Sequence, residues 1–117
     1  MKVVQNITIT APDGTPMTDA SGDVKLADGT SPVMTMEYLL KRILDISQYG
    51  NRSEMKKADA AYAKIQVTDD GKIYLEDADL EFLIQLKDKL EVFRKGRSFE
   101  VFHKTLEDAE TVSLPKA

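Results

Sequence analysis

The 117-residue chain predicts an α+β domain in which small antiparallel β-hairpins pack on three to four helices. Three observations lead there. β-branched residues alternate with polar ones near the start, Asp-Gly pairs separate short β-prone runs, and apolar residues then recur at helical spacing. A chain this short forms one hydrophobic core. Residues 1–110 are expected to be one compact domain and 111–117 a flexible C-terminal tail.

Lys2 to Thr10 reads as a strand with Val3, Ile7 and Ile9 as its inward row. Gln5 interrupts that row and marks an edge or a bulge. Ala11-Pro12-Asp13-Gly14 is a turn, because proline presets one φ and glycine accepts a positive one. Met17 opens a return strand and Val24-Lys25-Leu26 is a short strand candidate. Asp28-Gly29 turns again, within a Ser21–Ser31 stretch that reads as a loop or mobile hairpin.

Ser31-Pro32 announces the first helix, with Ser31 as N-cap and Thr35 as the rival cap. Met36, Leu39, Leu40, Ile43 and Leu44 form its apolar stripe. Gly50 is expected to close it in the left-handed conformation. Ser53 caps a second helix reaching Lys64, with Met55, Ala58, Tyr62 and Ile65 on its buried side. A hairpin follows, turning at Asp69-Asp70-Gly71 between Gln66-Val67 and Lys72–Leu75. Asp77 opens a third helix whose face is Leu80, Leu83, Ile84, Leu90 and Phe93, stopped by Gly96. Ser98 caps a last helix carrying Phe99, Phe102, Leu106 and Ala109, with a short strand at Phe99–Phe102 as the alternative. From Glu110 the chain reads as a polar tail.

Composition removes several chemistries. With no cysteine there is no disulfide, thiolate nucleophile or Cys-based metal site, and His103 is the single histidine. Cysteine-free composition fits a reducing compartment, so a cytoplasmic location is expected. No stretch has the continuous apolar core of a secretory signal or the length of a membrane span. A net charge of −4 argues against a general nucleic-acid or anionic-membrane binder.

Four clusters invite a chemical reading. Placing Gly71 at an EF-hand's glycine puts Asp77 at the closing acid but Gln66 at the first, so the loop lacks its first anchor. The carboxylates Asp70, Asp77 and Asp79 would serve a small cation-dependent enzyme, but acids there are also what a helix N-terminus prefers. The Lys87–Arg97 face would meet phosphates, yet residues 51–97 carry ten basic and ten acidic side chains. His103 lies one turn from Glu100 and from Glu107, a spacing that allows a His–carboxylate pair. No nucleophile elbow, Walker loop or dinucleotide fingerprint accompanies any of them, so no catalytic residue, metal site or cofactor is assigned.

Phe99 and Phe102 follow the helix that should close the core, so they need a further surface in this domain or a neighbouring one. Phe99, Phe102 and Leu106, with Arg94 and Arg97, are the expected partner-binding residues. The expected function is non-enzymatic protein interaction, with a partner that is a second copy or another protein.

Three stretches carry a resemblance. They are the opening strand ending in Asp13-Gly14-Thr15-Pro16, the helix Met34-Thr35-Met36-Glu37-Tyr38-Leu39-Leu40, and the run Lys57–Ile65 continued by Leu75–Leu83. In these, about half its length, the chain resembles small accessory proteins of tailed phages and prophages whose function is unassigned. The resemblance implies a phage or prophage protein that works through contacts, in virion assembly or on a host protein, in the host cytoplasm. It brings no catalytic residues with it.

Overall fold

A computed structural model describes residues 1–11, 13–18, 26, 28–93 and 99–111. Four helices pack against a three-stranded antiparallel sheet, an α+β fold. In chain order the elements are β1 (Lys2–Gln5), α1 (Met36–Ile46), α2 (Arg52–Lys64), β2 (Lys72–Leu75), α3 (Asp77–Lys89), α4 (Glu100–Glu107) and β3 (Glu110–Thr111). β1 is the central strand, with Val4 opposite Ile73 on β2 and Val3 opposite Glu110 on β3. Glu110 and Thr111, expected at the start of a polar tail, are therefore sheet residues, and residues 112–117 lie outside the described residues.

The opening strand is shorter than its composition suggests, and it changes face. Val4 is buried and Val3 only half-buried, while further on Ile9 is buried. The Ile7 N–H bonds to the Gln5 carbonyl at 2.9 Å, closing a three-residue turn on Asn6. That turn shifts the two-residue alternation by one place, so Val4 rather than Val3 shares the inside with Ile9. Asn6 is also an anchor: its side-chain oxygen accepts the Glu37 N–H at 2.9 Å, at the first turn of α1.

The two Asp-Gly-Thr triplets fold alike. Asp13 accepts from the amide and hydroxyl of Thr15 at 3.0 and 2.7 Å, and Asp28 from those of Thr30 at 3.0 and 2.6 Å. Gly14 and Gly29 have φ of 89° and 83°, which L-residues with a Cβ rarely adopt. Met17 does return along Ile9, whose carbonyl its N–H meets at 2.9 Å. Most of the proposed Val24–Leu26 strand lies outside the described residues.

Helix α1 starts four residues later than Ser31-Pro32 announces. Thr35 is its N-cap, accepting the Tyr38 N–H at 3.1 Å. Val33 and Met34 are held extended instead: Met34 donates to the Met17 carbonyl at 2.8 Å and accepts the Ile9 N–H at 2.8 Å. Thr35→Ala is expected to lower stability by about 1 kcal/mol, read from the urea midpoint; an unchanged midpoint would return the cap to Ser31. The five stripe residues of α1 are all buried as expected. Its end is made by Ser47, whose hydroxyl donates to the Ile43 carbonyl at 2.5 Å, and not by a left-handed Gly50.

Asn51, not Ser53, caps α2, accepting the Glu54 N–H at 2.9 Å while the Glu54 carboxylate accepts the Gly50 N–H at 2.8 Å. The side of α2 that turns inward is Ala58, Ala61 and the following Ile65. Met55 and Tyr62, expected inside, face solvent. Small alanines let α2 approach α1 closely, and that approach selects the face.

The Asp69-Asp70-Gly71 turn forms, with Gly71 at φ 75° and the Thr68 N–H bonded to the Lys72 carbonyl at 2.8 Å. Lys72–Leu75 pairs mainly with β1, and Val67 contributes a single bridge to Ile73. Leu80, Leu83 and Leu86 of α3 are buried, and the Lys64 ammonium meets the Asp79 carboxylate at 2.9 Å to tie α2 to α3. That contact raises the Lys64 ammonium above its ordinary value through the hydrogen bond and charge of Asp79. α3 ends at Lys89 rather than near Gly96, and a 3-10 turn, Glu91–Phe93, follows. Residues 94–98, including the Ser98 cap and the Gly96 stop, lie outside the described residues. The last segment is helical, so the strand alternative at Phe99–Phe102 is set aside.

Candidate functional site

Phe102 is 0% exposed and Leu106 is also fully buried, so neither is presented to a partner. Phe99 is half-buried, its ring edge-on to Phe93 at 5.1 Å between centroids. Phe93 and Phe102 stand 5.3 Å apart, so the three phenylalanines pack on one another in the domain's own core. Arg94 and Arg97 lie outside the described residues. Of the residues expected to form one partner surface, the described ones therefore pack inward: Phe102 and Leu106 lie in the core and Phe99 lies against it.

Lys87 departs from the solvated basic face in which it was expected. It is 3% exposed, and its ammonium donates to His103 Nδ1 at 2.6 Å. His103 Nε2 lies 2.6 Å from the Phe93 carbonyl. A carbonyl only accepts, so Nε2 carries the proton and Nδ1 is free to accept from Lys87. The Asp88 carboxylate, 3.2 Å away, is the ammonium's other partner. His103 is therefore a brace between α3, the turn at Phe93 and α4, in place of the carboxylate pair its spacing allows.

The acids of the middle region separate. Asp70 accepts from the Thr68 hydroxyl, which holds its carboxyl below the usual range. Asp77 faces the N-terminal ammonium at 3.5 Å, and Asp79 holds Lys64. Among the described residues no three His, Cys, Asp or Glu side chains gather as a metal site requires.

What the structure brings together instead is the seam between α1 and α2. α2 places Met55, Asp59 and Tyr62 along one outer face, at helical spacing. α1 and the turn after it supply Leu44, Asp45 and Tyr49. These side chains and Ala58 line a small pocket of about 80 Å³. Met55 is 53% exposed and Tyr62 is 41% exposed. The Tyr49 hydroxyl donates to the Leu44 carbonyl at 2.7 Å, which folds its ring back against the helix end. Partial burial first, then the negative charges of Asp45 and Asp59, push the Tyr49 phenol up. The Lys41 ammonium lies 5.5 Å from the Tyr62 ring centroid and 3.7 Å from Glu37.

A larger open groove, about 420 Å³, runs between β1 and α4 over Val3, Ile7 and Val101. Its rim mixes Lys104 with Asp108 and Glu110, so it offers no single sign of charge. The seam is the more selective feature, because its apolar lining carries two acids and no base.

The sequence contained a signal for this seam. Met55 and Tyr62 are apolar residues on a helix whose alanines suffice to pack it. Periodicity assigned them to the core because it identifies a shared face without identifying which face is covered. Among the described residues no helix is long and apolar enough to cross a membrane. Comparison with protein-family models, with curated proteins and with solved structures finds no match to this chain.

Proposed function

We propose that this chain is a non-enzymatic protein-interaction module that docks a partner protein through the α1–α2 seam. The observation that carries the reading is the exposure of Met55 and Tyr62 beside the Tyr49 ring. Methionine and tyrosine are enriched where proteins meet, and an aromatic ring beside a small pocket is the usual form of an energetic anchor. Asp45 and Asp59 at its edge suit a partner surface of positive charge, in keeping with the chain's net charge of −4. The resemblance to tailed-phage accessory proteins agrees with action through contacts, in virion assembly or on a host protein, in the cytoplasm.

The test compares capture by the wild-type chain with capture by a Met55→Ser/Tyr62→Ser double variant and by a Val92→Ser control. Both changes fall on exposed side chains, so melting temperatures should move little. The reading expects a partner retained by the wild type and the control but lost, by tenfold or more in affinity, by the seam variant. Equal retention by all three proteins overturns it.

A further inference from the structure

Resting on that docking surface, we infer that the seam receives one basic side chain of the partner, with arginine the best match. Its aliphatic stem would lie against Met55 and Tyr62, and its guanidinium would meet the carboxylates of Asp45 and Asp59.

Size comes first. A pocket of about 80 Å³ is far below the roughly 300–1,000 Å³ of sites that enclose small molecules. It has room for the end of a side chain and not for a metabolite. The lining then selects the kind of side chain. Leu44, Met55, Ala58 and the two tyrosine rings favour an apolar stem, while the acids favour a cationic end. Asp45 and Asp59 come from different helices, and neither makes an ion pair among the described residues. Both charges act at Tyr49, where they add to partial burial, the larger cause, in raising the phenol.

A tyrosine face also attracts a cation, and Tyr62 already holds the Lys41 ammonium near its ring. Lys41 is shared with Glu37, while Arg52 and Lys56 of α2 stand outside the pocket lining. Arginine suits the site better than lysine. Its planar guanidinium can stack on a ring and address two carboxylates at once, whereas an ammonium is a compact, strongly hydrated charge.

The probe is a short arginine-centred peptide, with the same peptide carrying citrulline as its neutral isostere. Each is titrated into the full-length ¹⁵N-labelled chain and followed by amide chemical shifts. The expected result is saturable movement of Tyr49, Met55, Asp59 and Tyr62 with the arginine peptide and at least fivefold weaker binding of the citrulline peptide. Asp45→Asn/Asp59→Asn should weaken the arginine peptide at least fivefold, and added salt should weaken it in the wild type. Equal binding of the two peptides, or an unchanged affinity in the double Asn variant, overturns the inference. The citrulline comparison uses the wild-type chain and so does not depend on how a variant folds. Partner capture separates the two readings. Loss in Met55→Ser/Tyr62→Ser but not in Asp45→Asn/Asp59→Asn keeps the docking surface and removes the basic occupant. Retention in both removes both.

Discussion

His103→Leu is expected to destabilise the fold by about 3 kcal/mol, more than Lys87→Met, for which about 1–2 kcal/mol is expected. The two side chains touch at 2.6 Å, but the groups they would leave behind differ. Without His103, a buried ammonium keeps, among the described residues, the exposed Asp88 carboxylate alone, and the Phe93 carbonyl loses its donor. Without the Lys87 amine, what remains is a neutral imidazole nitrogen lacking a donor, and methionine refills most of the space. A loss of about 3 kcal/mol corresponds to a fall in melting temperature of roughly 10 °C for a chain this size. The Lys87→Met/His103→Leu protein should lose less than the two single losses added together, since neither the under-paired ammonium nor the bare imidazole nitrogen then remains and only the Phe93 carbonyl still lacks its donor. Urea denaturation of the four proteins checks both statements. If Lys87→Met is the more harmful change, or the losses simply add, the brace is not formed as described.

Phe102→Ala should cost about 3–5 kcal/mol, a large share of the roughly 5–15 kcal/mol that holds a domain together. Phe102 is fully buried and packs against Phe93, so its removal opens a cavity where α4 meets the turn after α3. Phe102→Leu keeps most of the volume and should cost clearly less. Met55→Ala, by contrast, should stay within about 0.5 kcal/mol, because Met55 is exposed. Thermal or urea unfolding of the three variants gives the ranking. An unchanged midpoint for Phe102→Ala would detach α4 from the core and restore Phe102 to the surface role that its position in the chain suggests.

The features legible in the sequence were those whose cause is local. The Met36–Leu44 stripe specifies a helix because each residue meets its neighbour one turn away. The Asp-Gly pairs at 13–14, 28–29 and 70–71 specify turns because glycine alone takes those φ values without strain. Helix ends were harder. Ser31-Pro32 is a sound local start, but hydrogen bonds from the Met34 N–H to Met17 and from the Ile9 N–H to Met34 hold the chain extended up to Thr35. Lys87, read from the sequence as part of a basic face, is buried because His103, sixteen residues on, supplies its acceptor.

The candidate surface was the least legible part. Helical spacing grouped Met55, Ala58, Tyr62 and Ile65 as one buried side, but the structure buries Ala58 and Ile65 and leaves Met55 and Tyr62 exposed, while Phe102 and Leu106, expected to meet a partner, are buried in this domain. A periodic pattern states which side chains share a face. It does not state whether another element covers that face, because coverage depends on packing between segments far apart in sequence. Local pattern and composition were enough for the α+β class, the α1 stripe, the Asp-Gly turns and the exclusion of cysteine chemistry. Tertiary packing alone decided which apolar face was buried. Close approach through Ala58 and Ala61 left Met55 and Tyr62 outside, while the phenylalanine cluster drew Phe102 and Leu106 in.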